Sequence, residues 1–126
     1  MKSRPQAPEP LSSFLIYIES IQGKSQKTAN EYFYDLRTFF RYLKIHFDLV
    51  SSDVDFDDID IMDVGIDILK KVDLNLIYEY MNFLHRVRNN SPHARARKLL
   101  HFVLFINTYQ LNLSLLMKIL QPSLNR

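Results

Sequence analysis

The sequence contains no cysteine and only two glycines among its 126 residues. Without cysteine there is no disulfide framework, no cysteine nucleophile and no cysteine-ligated zinc finger. Two isolated glycines, Gly23 and Gly65, exclude the Gly-rich loops that cradle phosphates in P-loop and dinucleotide-binding folds. No run reaches the ~18 apolar residues that a transmembrane helix needs. Met1-Lys2-Ser3-Arg4-Pro5 is not followed by an apolar signal core, so the expected location is the cytoplasm, without membrane attachment. What remains is 47% hydrophobic and 24% charged, an ordinary globular composition. The length fits one domain able to bury a core without covalent staples.

Charge is distributed in blocks. Residues 1–47 carry seven basic and four acidic side chains, residues 48–73 two and nine, and residues 74–126 seven and one. Two basic blocks therefore flank an acidic one, a pattern that suits a polyanionic partner but also describes solvated helix faces.

Periodicity predicts helices. Pro5, Pro8 and Pro10 mark residues 1–10 as a flexible lead-in. Ser12 or Ser13 can cap a first helix whose apolar face is Phe14, Leu15, Ile18 and Ile21, closed by Gly23. A second helix starts at Ser25, with a core stripe of Tyr32, Leu36, Phe39, Phe40, Leu43 and Phe47. Its other side reads Lys27, Asn30, Tyr34, Arg37, Arg41 and Lys44, spaced as one exposed basic strip. Residues 53–61 alternate polar and apolar, but aspartate is a poor strand former and no partner strand is evident. This segment reads as an ordered loop tucking Phe56, Ile59 and Ile61 onto the core, with a helical turn over 66–71. Asp73 caps a third helix, with Leu74, Ile77, Met81 and Leu84 inward. Ser91 and Pro92 open a fourth, which runs to about Tyr109 and is apolar almost all round from Leu99 to Ile106. Residues 114–120 form a fifth, ended by Pro122. The fold class is all-α, a compact bundle of four to five helices with an acidic loop insertion between the second and third.

Few residues suggest chemistry. His93, Arg95, Arg97 and Lys98 crowd the start of the fourth helix, where cations oppose the helix dipole unless an anion is bound. Arg37, Arg41 and Lys44 with Tyr34 combine cations for phosphates with an aromatic ring. Asp53, Asp55 and Asp57 match the opening of a calcium loop, but Asp58 and Val64 stand where glycine and glutamate belong. His46, His85, His93 and His101 show no metal-binding spacing. No hydrolytic or redox constellation is present, and no cofactor, metal or small-molecule substrate is expected.

A resemblance sharpens this reading. Leu11-Ser12-Ser13-Phe14-Leu15, followed by the stretch from Lys24 to Phe39, resembles the opening of a tyrosine recombinase of the phage integrase, Xer-like type. There a first helix leads through a Gly-x-Ser-x-x-Thr turn into a helix of Tyr-x-x-Asp-Leu-Arg-x-Phe type. Gly23, Ser25, Thr28, Tyr32, Asp35, Leu36, Arg37 and Phe39 match. Ser91-Pro92-His93-Ala94-Arg95-Ala96-Arg97-Lys98-Leu99 resembles the family's second signature, a basic stretch opening the last long helix. The acidic insertion is similar to one in some Xer-like members.

The resemblance implies an N-terminal SAM-like core-binding domain over residues 11–120, with residues 121–126 beginning a linker to a catalytic domain absent from this chain. Such a domain clamps double-stranded DNA at a recombination site, beside other protomers of the recombinase. The fragment itself is then not an enzyme, and the parent protein breaks and rejoins DNA in a bacterial or phage-encoded system. The DNA contacts implied by position are Lys27, Thr28, Arg37, Arg41, Arg95, Arg97 and Lys98, with Lys24, Ser25, Tyr34, Lys44 and His93 as a second tier. The alternative class is a helical protein–protein interaction module without DNA binding, using an apolar patch and the acidic loop.

Overall fold

A computed structural model describes residues 4–120, and every regular element among them is helical. The elements are α1 (Leu11–Ser20), α2 (Gln26–His46), α3 (Ile66–Leu69), α4 (Leu74–Arg86), α5 (Pro92–Tyr109) and α6 (Leu113–Leu120), with a 3-10 turn at Phe56–Asp58. The all-α class is as expected. The expected linker residues 121–126, and the Pro122 stop, lie outside the described residues. The chain groups into two compact units, Met1–Ile66 and Asp67–Arg126.

In the first unit α1 starts at Leu11, with Pro10 at the cap position and no side-chain cap. Ser12 and Ser13, expected as caps, lie inside the first turn instead. A carbonyl of the proline segment does the capping work, because the Ser12 N–H bonds to Pro8 O at 2.9 Å, ahead of the first regular helical bond from Phe14 N–H to Pro10 O at 3.0 Å. The described part of the expected lead-in is tied down: Pro8 and Pro10 are buried, and Arg4 Nη1 donates to Glu19 Oε1 at 2.9 Å and Asn30 Oδ1 at 2.8 Å. Phe14, Leu15 and Ile18 are buried, whereas Ile21 lies beyond the helix and is exposed. Gly23, at φ 68°, turns the chain so that Lys24 N–H reaches back to Ile18 O at 3.0 Å.

Ser25 caps α2 as expected, its hydroxyl oxygen accepting the Thr28 N–H at 3.1 Å. Leu36, Phe39, Phe40 and Leu43 are fully buried, joined by Ala29 and Phe33, while Tyr32 and Phe47 are half-buried at the margins. Each buried phenylalanine contributes roughly 2–3 kcal/mol of transfer free energy. The alternating 53–61 segment makes no strand. It bends through the 3-10 turn and turns Ile59, Ile61 and Val64 inward, with Phe56 half-buried and the aspartates in solvent.

In the second unit α3 is a single turn, within the 66–71 window where one was expected. Asp73 caps α4 through Oδ1, which accepts Leu76 N–H at 2.8 Å, and Leu76, Ile77, Tyr80 and Leu84 are buried. Met81 and Leu74, expected inward, are half-buried. Ser91 caps α5 by accepting the Ala94 N–H at 3.1 Å, with Pro92 in the first turn. His101, Phe102, Phe105 and Ile106 form the buried side of α5, but Leu100 and Leu104 are exposed, so this helix has an outer face after all. Asn112 accepts Leu115 N–H at 3.1 Å to cap α6, and its Nδ2 donates to Val72 O at 2.7 Å. No described helix is long and apolar enough to cross a membrane.

Candidate nucleic-acid interface

The cations expected to meet DNA fall into three groups, each with a distinct electrostatic setting. The first is the start of α2. Lys24, Ser25 and Lys27 are exposed, and Thr28 is half-buried. Ser25 and Thr28 bond to each other through the helix cap, with the Ser25 hydroxyl donating to Thr28 Oγ1 at 3.1 Å. The two lysines thus stand beside a helix start whose dipole already carries partial positive charge.

Further along α2 the expected exposed strip splits. Arg37 lies over the rings of Tyr34 and Phe33, with its guanidinium carbon 4.8 and 5.5 Å from the centroids. This cation–π stacking steadies the guanidinium without neutralising it. Arg37 Nε has no hydrogen-bond partner among the described residues. Arg41 and Lys44 differ, and the expectation that they lie on an exposed face is corrected here. Lys44 is only 5% exposed. Its ammonium donates to both carboxylate oxygens of Asp63, at 2.8 and 3.0 Å, and to Asp60 O at 2.9 Å. Arg41 Nε donates to Ile59 O at 3.1 Å, and its Nη1 lies 3.8 Å from Asp57 Oδ1. The physical reason is burial of Ile59 and Ile61. Once they turn inward, the loop backbone and the neighbouring aspartates lie across the end of α2. The acidic block is therefore an internal counter-charge for two of the strip's cations.

The third group is the start of α5. His93 and Arg97 are exposed, and Arg95 and Lys98 are half-buried. Arg95 Nη1 lies 2.8 Å from Asn90 O and 3.0 Å from His85 Nδ1. Lys98 Nζ donates to Asn90 Oδ1. Asn90 occupies the α4–α5 turn, where Asn89 at φ 57° lets Asn90 N–H reach Leu84 O at 2.8 Å. The sequence has no Asp or Glu after Glu79. The bonds that hold Arg95 end on uncharged acceptors, so its charge stays undiminished.

The sequence reading missed His85 and Asn90 as holders of the α5 cations, and Asp57 and Asp63 as counter-ions. Asn90 carries a local signal, since paired asparagines before a Ser-Pro helix start favour a left-handed turn. His85 and the aspartates carry none, because their partners lie ten or more residues away. Burial pushes the Tyr32 hydroxyl above its ordinary pKa, which keeps the ring neutral beside Phe14, 5.6 Å away between centroids. Among the described residues no three His, Asp or Glu side chains converge as a metal site.

No protein-family model matches the chain, and no solved structure matches it. The chain is 45% identical over 100 residues, 79% of its length, to a protein of Caldanaerobacter subterraneus subsp. tengcongensis named tyrosine recombinase XerC. The chain spans only 28% of that curated relative's length, in its N-terminal part. On this identity the chain belongs to the tyrosine recombinase family, as a counterpart of the N-terminal part of such a protein.

Proposed function

We propose that this chain is the DNA-gripping, core-binding part of a tyrosine recombinase, which holds double-stranded DNA at a recombination site while strand breakage and rejoining belong to a catalytic part of the same protein. The observation that carries the reading is the start of α5, where Arg95 is held by uncharged groups in a stretch that contains no carboxylate after Glu79. A cation such as Arg95, held at a helix start by uncharged partners, raises the free energy of the isolated protein, and a phosphate relieves that. Lys24 and Lys27 at the start of α2, and Arg37 stacked on Tyr34, support the same reading. In this reading phosphate contacts supply most of the affinity, and groove contacts supply register. Arg95, Arg97, Lys98, Lys27, Thr28 and Arg37 are the proposed contacts, with Lys24, Ser25, Tyr34 and His93 flanking them. Arg41 and Lys44 are left out, because the acidic loop already engages them. Further protomers of the recombinase on the same DNA are the proposed protein partners.

The test is fluorescence anisotropy of a labelled duplex of about 30 base pairs, titrated with the chain at several salt concentrations. Steeply salt-weakened binding is expected, and its slope estimates the number of phosphates engaged. Absence of binding at about 50 mM salt would overturn the reading.

A further inference from the structure

We propose that His85 and Asn90 are positioning residues that aim the Arg95 guanidinium at a DNA phosphate, an inference that rests on the DNA-gripping reading above. The argument begins with donors and acceptors. A guanidinium has no acceptor, so the 3.0 Å contact between Arg95 Nη1 and His85 Nδ1 requires that Nδ1 accept. The His85 ring in this contact is therefore neutral, with its proton on Nε2. The second hydrogen of Nη1 goes to Asn90 O at 2.8 Å. One nitrogen is thereby fully used, and the side chain is fixed at two points. Among the described residues the edge formed by Nε and Nη2 is the one left over. That edge is the fork that grips a phosphate through two parallel bonds.

The anchors are themselves fixed. Asn90 is pinned by its N–H bond to Leu84 O at 2.8 Å and by its Nδ2 bond to Arg88 O at 3.2 Å. The same residue accepts Lys98 Nζ on its side chain, so one turn residue orders two cations. His85 sits in the last turn of α4. Both anchors are uncharged. They restrict the rotamers of Arg95 without screening it, which lowers the ordering cost that phosphate binding would otherwise carry.

The experiment is a double-mutant cycle on the full chain, read by duplex anisotropy at one fixed pH. Arg95→Ala is expected to weaken binding about tenfold and to flatten the salt slope by about one. His85→Ala is expected to weaken binding about three- to fivefold with the slope unchanged, because no charge is removed. His85→Gln, which keeps an acceptor, restores most of the affinity. In the Arg95→Ala background His85→Ala adds nothing. Asn90→Ala, whose backbone carbonyl still holds Arg95, weakens binding only when Lys98 is present. Equal losses from His85→Ala with and without Arg95 overturn the proposal, as does no loss at all. If Arg95→Ala itself changes nothing, or the unaltered chain binds no duplex, it is the DNA-gripping reading of this helix that fails, and the proposal falls with it.

Discussion

The end of α2 and the start of α5 carry similar side chains in opposite circumstances. At the end of α2, Lys44 meets the Asp63 carboxylate and Arg41 lies near that of Asp57. At the start of α5, Arg95 meets a carbonyl and an imidazole nitrogen. The first arrangement pairs its positive charge with carboxylates of the protein itself, and the second sets it against uncharged groups. Two clusters that look alike in sequence thus differ in their surroundings, and the variable that separates them is the charge of the acceptor. A basic strip is a candidate interface only where its partners are neutral.

Substitutions can break this contrast. The largest effect belongs to Lys44→Ala, which removes a buried stem and leaves Asp60 O and Asp63 without their donor. A loss of about 2–3 kcal/mol is expected, seen as a lower thermal midpoint. An unchanged melt would show that Lys44 is no structural element. Next comes Arg95→Ala combined with Arg97→Ala. Here duplex affinity falls at least about tenfold and the salt slope flattens by about two, while the melt barely moves. A folded double variant that binds as before removes the start of α5 from the DNA face.

Ser91→Ala is expected to cost about 1 kcal/mol through the lost α5 cap, and Ser25→Ala a similar amount through that of α2. Urea titration of each variant checks this, and a loss well below half a kcal/mol in either would mean that solvent caps that helix equally well. The smallest effect sharpens the contrast from the other side. Asp57 and Asp63 are largely exposed, at 73% and 63%, so Asp57→Asn with Asp63→Asn should cost under about 1 kcal/mol. Removing two negative charges should raise duplex affinity a few-fold at low salt and leave it unchanged at high salt. Affinity indifferent to this change at every salt concentration would mean that the acidic loop does not influence the DNA face.

Much of the secondary structure was legible because its signals are local. Ser25, Asp73 and Ser91 cap the helices that they were expected to cap, since a cap bond spans three residues. The α1 start was misread because Ser12 and Ser13 look like caps, while the carbonyl of Pro8 takes up the Ser12 N–H. Of the candidate site, the crowding of Arg95, Arg97 and Lys98 at one helix start was readable from Ser91 and Pro92 alone. The fate of the α2 strip was not. Arg41 and Lys44 have the spacing of a solvated face, and the spacing is correct, but their aspartate partners lie 16 and 19 residues away in a loop whose path depends on burying Ile59 and Ile61.

The sequence by itself determined which segments are helical, where most of them start, and that acidic and basic residues are segregated into blocks. These follow from periodicity, capping chemistry and composition, all of which act over one or two turns. The tertiary structure alone decided which cations are spent and which are kept. That choice depends on what lies within a few ångströms of each charge, and in a folded chain those neighbours come from distant residues: Asp63 for Lys44, His85 for Arg95.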